Sequence, residues 1–461
     1  MPPLSAQPLS PLDGRYRALT EPLAEHLSEA GLNRARLKVE VEWLIALTDA
    51  GVAGTTPLAD AERAGLRELV PSFGDEEVAE LARIEARTRH DVKAVEYLLR
   101  DRLDRLGLGR LAELTHFAFT SEAVNNLAVA LTVQEALRTV WLPAFDAVLD
   151  RLVEKAHAWA AVPMLARTHG QPATPTTMGK ELAVFAHRLQ RLRRAVLAVE
   201  ILGKSNGASG DYAAHVVAAP EVDWEDLSRR FVTGLGLTWN PLTTQIEPHD
   251  WQVELYGRLT HVNGVLHNLC TDVWLYIAAG ALKQLPVEGA TGSSTMPHKV
   301  NPIRFENAEA NLELSTGILG TLERTLVTSR LQRDLTDSST QRNIGTGLGH
   351  ALVALANLAS GLDEVDVDRA RLAADLEANQ EVVGEAIQTV VRAEIAAGRS
   401  SLSNPYELVK ELTRGRRVTA ADLEAFIRGL DLEPAVRDRL AALTPATYTG
   451  IAERLVDHLD D

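Results

Sequence analysis

The stretch from Asp250 to Lys283 contains no proline, and its apolar residues Val262, Leu266, Leu269, Val273 and Ile277 recur at spacings of three and four. That spacing places them on one face of a single long helix. Thirty-odd residues at 1.5 Å rise give a rod of roughly 50 Å, too long to bury its apolar face except against other long helices. A second stripe, Leu182, Phe185, Leu189, Leu192, Val196 and Val199, repeats the pattern and reads as the seam of a bundle. Helices are also expected at Pro143 to Ala160, Glu306 to Leu326 and Gly347 to Gly361, with Pro143 suited to a first turn. Strands should be scarce, because alternating patterns are rare; Gly207 to Val217 has room for one short hairpin.

The chain therefore reads as all-α, with 461 residues enough for several cores. Three segments are expected: an N-terminal α domain over 1–110, a central long-helix bundle over 111–364, and a small C-terminal α domain over 365–461. Breaks at Gly51 to Pro57, Pro71 to Gly74, Asn404-Pro405 and Gly415 punctuate the outer two.

Charge and composition narrow the partners. Net charge is −16, from 47 Lys plus Arg against 63 Asp plus Glu, which opposes nonspecific attraction to nucleic acid or anionic membranes. The most apolar run, Val273 to Leu282, is too short to span a bilayer. Met1 to Asp13 has neither a basic nor a greasy region, so no secretory signal is expected. One cysteine, Cys270, excludes an intrachain disulfide, and a cytoplasmic location is the expectation. Cys270 lies on an apolar stripe and reads as a small buried hydrophobe. The basic turn Arg414, Arg416, Arg417 reads as a solvated patch.

Gly292 to Pro302, G-S-S-T-M-P-H-K-V-N-P, cannot continue a helix. Its two hydroxyls, imidazole, ammonium and carboxamide suggest a lid that carries chemistry. His169 sits in a Gly/Pro loop, Arg167 to Pro172; imidazole suits acid–base work near neutrality, while a structural histidine is the plainer alternative. Arg89 to Lys93 can equally be a helix start, with Asp91 at the favourable end of the dipole. The segment Arg330 to Arg342 gathers guanidinium groups and hydroxyls that suit phosphate or carboxylate, or an interhelical salt-bridge network. No histidine or cysteine spacing indicates a metal site, and there is no nucleophile elbow, dinucleotide fingerprint or Walker loop.

Taken together, the Gly292 to Pro302 loop, Thr168-His169 and Thr120-Ser121 resemble the fumarase/aspartase lyase superfamily, whose signature is G-S-S-x-M-P-x-K-x-N. Within it, His298 with Val300 to Ile303 and Phe305 to Asn307 resembles the adenylosuccinate lyases, most closely a bacterial branch. The resemblance covers nearly the whole chain. It implies a cofactor-free and metal-free elimination of fumarate from adenylosuccinate, giving AMP, and from the succinylated aminoimidazole carboxamide ribotide (SAICAR), giving AICAR. It implies His169 as general acid and Ser293 as general base. Arg15 and Tyr16 match a nucleotide-contacting pair, His90 and Asp91 a phosphate-side loop, and Thr120 and Ser121 hydroxyls near the succinyl group. Gln245, Ser294, Lys299, Asn301, Asn307, Arg333, Ser338, Ser339 and Arg342 match further substrate contacts, and Glu306 a carboxylate that orients the catalytic histidine. Arg89 stands where the nearest branch carries Asn, and Asp211 also replaces an Asn. The resemblance further implies a homotetramer with shared active sites, since motifs at the ends of long helices cannot all meet within one antiparallel bundle. Open alternatives are a sister lyase acting on another succinyl or carboxymuconate-type substrate, and a noncatalytic helical scaffold.

Overall fold

The computed structural model describes residues 8–286, 296, 299–413 and 418–460. The protein is all-α. In chain order the helices begin with α1 (Arg17–Leu27), α2 (Glu29–Asp49), α3 (Asp60–Glu68), α4 (Asp75–Thr88), α5 (Asp91–Arg105), α6 (Ser121–Ala136) and α7 (Leu142–Ala158). A single π-turn, Leu137–Trp141, joins the last two. Next come α8 (Met178–Leu197), α9 (Ala213–Ala218), α10 (Trp224–Gly234) and α11 (Asp250–Ala279), the 30-residue rod read from the stripe, about 45 Å long. The series continues with α12 (Ile303–Leu326), α13 (Thr336–Gln341), α14 (Ile344–Asp363), α15 (Arg369–Glu377) and α16 (Gly384–Ala396).

The chain forms two compact units, each discontinuous in sequence. Unit 1 comprises Met1–Asp146, Leu192–His267 and Asn307–Ala356; unit 2 comprises Ala147–Arg191, Asn268–Glu306 and Asn357–Asp461. In unit 1, α2 packs on α6 and α5. Helix α2 is buried on several sides, and Leu37, Val39, Val41, Leu44 and Leu47 are almost wholly excluded from solvent. Its Trp43 stacks on Phe119 with ring centroids 4.4 Å apart and lies 5.0 Å from Phe231, an arrangement worth about 1 kcal/mol per aromatic pair beyond area burial.

Unit 2 contains two antiparallel pairs. One joins β1 (Pro163–Thr168) to β2 (Gln171–Thr177); the other pairs Leu282–Gln284 with Val365–Val367. Gly179 makes a close approach that admits no side chain, because a Cβ there would meet the main chain of Ala156, Trp159 and Ala160. The C-terminal part has its own core of Val383, Ile387, Val391, Leu412, Leu423, Ile427 and Leu440.

One expectation about strands is corrected. Gly207 to Val217 is not a hairpin: Gly207 and Gly210 have positive φ, and Ala213–Ala218 turns helical. The hairpin lies instead at Pro163–Thr177, which reads as a loop in sequence because Gly170, Pro172 and Pro175 interrupt any alternation. No helix among the described residues is long and apolar enough to cross a membrane.

Candidate active site

In unit 1 the site is built around Arg36. Its register on α2 with Leu32, Val39 and Trp43 puts it on an apolar stripe, and it is 2% exposed. Such a charge needs partners. Nη2 donates to Asp91 at 2.8 Å, Nη1 to Asn33 at 2.8 Å and Nε to Asn125 at 2.9 Å. These bonds fix the first residue of α5 and the fifth residue of α6 against α2. Burial works against the Asp91 carboxylate, but Arg36 outweighs it and holds the group below the usual range.

The neighbouring candidates then fall into place. His90 caps α5, its Nδ1 accepting from the Lys93 N–H at 3.2 Å, and its Nε2 lies 3.5 Å from Ser121 Oγ. Thr120 is the N-cap residue of α6. Arg342 approaches Asp91 and Glu29 at 3.6 Å each and donates to Ser338 Oγ at 3.3 Å. Glu29, Arg36, Glu122, Asn125, Ser338 and Arg342 line an open cleft in which guanidinium, carboxylate, carboxamide and hydroxyl groups converge. Arg333 pairs with Glu122 at 2.9 Å, where burial pushes the Glu122 carboxyl up against the pull of Arg333. Gln245 is half-buried in a loop tied to the Arg333 segment by Thr244 Oγ1 donating to the Gln332 carbonyl at 3.0 Å. Separately, Asn307 donates to Tyr16 Oη at 3.0 Å and its carbonyl receives Asn311, which in turn meets His350 Nδ1 at 2.9 Å.

Other candidates in unit 1 are not gathered in. Arg15, Arg89 and Ser339 are exposed. Arg89 closes α4 with φ +53, in the left-handed region where Asn is far better tolerated than Arg. The geometry thus gives a local reason for the Asn expected there.

Unit 2 carries His169. It and Gly170, with φ +52 and +74, form a two-residue hairpin turn between the paired Thr168 and Gln171, the signature of a type I′ turn. The imidazole is exposed at the tip. The strands behind it are tied down: Arg167 meets Asp375 at 3.2 Å, and Glu385 accepts from Thr174 at 2.7 Å and from Tyr448 at 3.1 Å. Lys299 is exposed, Asn301 is half-buried, and Glu306 accepts from Trp274 Nε1 at 3.2 Å. Ser293, Ser294 and His298, hence most of the expected lid, lie outside the described residues, as do Arg414, Arg416 and Arg417.

Several residues at the site are absent from the candidates that the sequence suggests. Besides Arg36 and Glu122, these are Glu40, His116 and Lys204. Glu40, 1% exposed, receives His116 through the ring at 2.5 Å and through the main chain at 3.1 Å, anchoring the loop that leads to Thr120. Burial opposes the His116 imidazolium, yet Glu40 raises its pKa above the ordinary histidine value. Lys204 is 0% exposed, and burial pushes it down to about 8. The one available cue was a charged residue in register with an apolar stripe, as at Arg36. Among the described residues no group of three or more His, Cys, Asp or Glu has the arrangement of a metal site.

Comparison with known proteins bears on the same residues. A family model described as lyase matches 14–315, and one described as adenylosuccinate lyase C-terminal matches 329–449. The adenylosuccinate lyase of Escherichia coli is 47% identical over 453 residues, and that of Haemophilus influenzae 45%, each alignment covering 98% of both chains. Two solved structures share the fold: a 3-carboxy-cis,cis-muconate lactonizing enzyme from Pseudomonas putida (TM-score 0.73, 23% identity, 95% of each chain) and a fumarate lyase from Mesorhizobium sp. (0.73, 18%, 95% of this chain and 97% of that one). With the whole chain aligned at this identity, it belongs to the adenylosuccinate lyase family.

Proposed function

We propose that this chain is an adenylosuccinate lyase: it eliminates fumarate from adenylosuccinate to give AMP, and from SAICAR to give AICAR. The observation that carries this reading is the 47% identity to the Escherichia coli enzyme across 98% of both chains. In the proposed reaction Ser293 removes a proton from the succinyl Cβ, the electrons form the new C=C bond, and the C–N bond breaks. His169 delivers a proton to the departing nitrogen. Lys299 and Asn301 bind the succinyl carboxylates, Ser294, Thr120 and Ser121 supply hydroxyls, and Arg342, Ser338, Ser339 and His90 hold the phosphate end. Arg15, Tyr16, Asp91, Gln245, Asn307 and Arg333 complete the substrate contacts, with Arg89 at the periphery.

Physical chemistry supports the division of labour. An imidazole on an exposed turn can exchange protons with solvent between turnovers, and guanidinium forks with hydroxyls suit a phosphate. A serine acting as base needs a nearby cation or N–H donors, and Lys299 lies six residues along the chain. We further propose a homotetramer with shared sites. Trp274 and Leu275 on α11, 39% and 53% exposed, and Leu314 on α12, 52% exposed, are large apolar groups of the kind that subunit contacts cover.

The test is the absorbance change when purified protein meets adenylosuccinate. AMP and fumarate in equal amounts are expected; neither product would overturn the reading. Ser293→Ala should abolish turnover while substrate affinity stays within about tenfold, and near-normal turnover would remove Ser293 from the base role. Mixing His169→Ala with Ser293→Ala protein should restore part of the activity if sites are shared; no recovery after verified subunit exchange would count against sharing.

A further inference from the structure

Under the candidate site in unit 1 lies a group of buried polar and ionisable residues of which the proposed reaction uses none but their partner Arg333. Glu122, 3% exposed, is the second residue of α6 and receives Arg333 Nη2 at 2.9 Å. One turn on, Asn126 donates to the carbonyls of Glu122 at 2.6 Å and Lys204 at 3.1 Å, and its Oδ1 accepts the Lys204 N–H at 2.9 Å. The fully buried Lys204 donates through Nζ to the Gly207 carbonyl at 2.9 Å. His249, 1% exposed with φ +65, meets Asp337 at 3.3 Å and Gln252 at 3.2 Å, and its main-chain N–H reaches Glu247 at 2.9 Å.

The placement follows the site. Ser121 is followed by Glu122, Ser338 is preceded by Asp337, Gln245 is four residues before His249, and Arg333 is itself a member. The segments bearing Ser121, Gln245, Arg333 and Ser338 are therefore tied to the buried group. Removing one partner of a buried pair strands the other charge, so these contacts resist rearrangement. The Glu122 carboxylate would repel an anionic substrate if it stood unpaired. Paired with Arg333, it instead fixes which way a planar guanidinium fork is turned, the property that bidentate recognition needs.

We propose that Glu122 is a positioning residue: through its pair with Arg333 it orients that guanidinium for the anionic substrate, and so sets substrate affinity without taking part in bond cleavage. This rests on the reading above that Arg333 contacts adenylosuccinate. The pair is one remote contact made equally in ground and transition states, so its loss should appear in KM.

The experiment is a double-mutant cycle on the full-length protein with adenylosuccinate as substrate, using Glu122→Gln, Arg333→Gln and the double variant, with thermal melting alongside. Glu122→Gln should raise KM about tenfold with kcat nearly unchanged, and in the Arg333→Gln background it should add less than about twofold. Glu122→Asp keeps the charge but shortens the arm, so a rise in KM at an unshifted melting temperature is expected even if Glu122→Gln folds poorly. Independent, multiplicative effects of the two positions, or a fall in kcat at constant KM, would overturn the proposal while leaving the enzyme's identity intact. A wild-type protein that fails to turn over adenylosuccinate would overturn the functional reading and this proposal with it.

Discussion

The two regions that carry the site candidates are built in opposite ways. In unit 1, Arg36, Glu122 and Asp91 are buried or half-buried, and charge-assisted bonds join Arg36 to Asp91 at 2.8 Å and Arg333 to Glu122 at 2.9 Å. In unit 2, His169 stands exposed on a two-residue turn, and the ties behind it, Arg167 to Asp375 and Thr174 to Glu385, join exposed or part-exposed groups. Buried pairs hold geometry strongly, whereas exposed ones contribute little. A contact that recognises the same phosphate at every turnover gains from a fixed fork. A group that takes up and gives away a proton gains from access to water.

The largest effect that would test this contrast is chemical. His169→Ala should reduce turnover about 10³-fold, roughly 4 kcal/mol, with a thermal midpoint close to wild type; a loss under tenfold in fumarate release would end its role as acid. Arg36→Met should do the reverse, lowering stability by roughly 3 kcal/mol in denaturant unfolding because Asp91, Asn33 and Asn125 lose their donor together. A change below 1 kcal/mol would mean the buried network is not what holds that wall.

A third test uses acid. His215 is fully buried, and its environment, burial first and then Lys204, pushes the imidazole down to about 4. An unfolded chain takes up a proton near 6.5, and the folded one does not until about 4, so stability is lost as pH falls between these values, by up to about 3 kcal/mol. His215→Phe should flatten that part of the acid unfolding profile; an unchanged profile would place the sensitivity elsewhere. The smallest effect belongs to the hairpin ties. Thr174→Val should cost less than about 1 kcal/mol, and a larger drop in melting temperature would mean the turn is held as firmly as the buried wall.

The sequence announced its helices far better than its charges. The stripes at Leu182 to Val199 and Val262 to Ile277 fall inside α8 and α11, apart from Val199 just past the end of α8, because periodicity is a property of neighbours along the chain. The pair between Glu122 and Arg333 spans 211 positions, and nothing near either residue reports the other. Asp91 shows both sides of this. Its place at a helix start was legible, while its guanidinium partner on α2 was not. The hairpin was missed for a local reason: the His169-Gly170 turn uses positive φ at both positions, and glycine and proline around it mimic a loop. In the lid segment, Lys299 and Asn301 are described as exposed and half-buried, while Ser293 rests on its sequence pattern.

The interleaving of the two units also bears on how such a chain is made. Unit 1 takes its last segment from Asn307–Ala356 of a 461-residue chain. At 5–20 residues per second, ribosomal synthesis needs roughly 20 to 70 seconds before that segment exists. Until then Glu122 on α6 and Asp91 on α5 wait in the nascent polypeptide without Arg333 and Arg342. The charged wall of the site is thus completed only by a late, long-range closure, after most of the chain has been made.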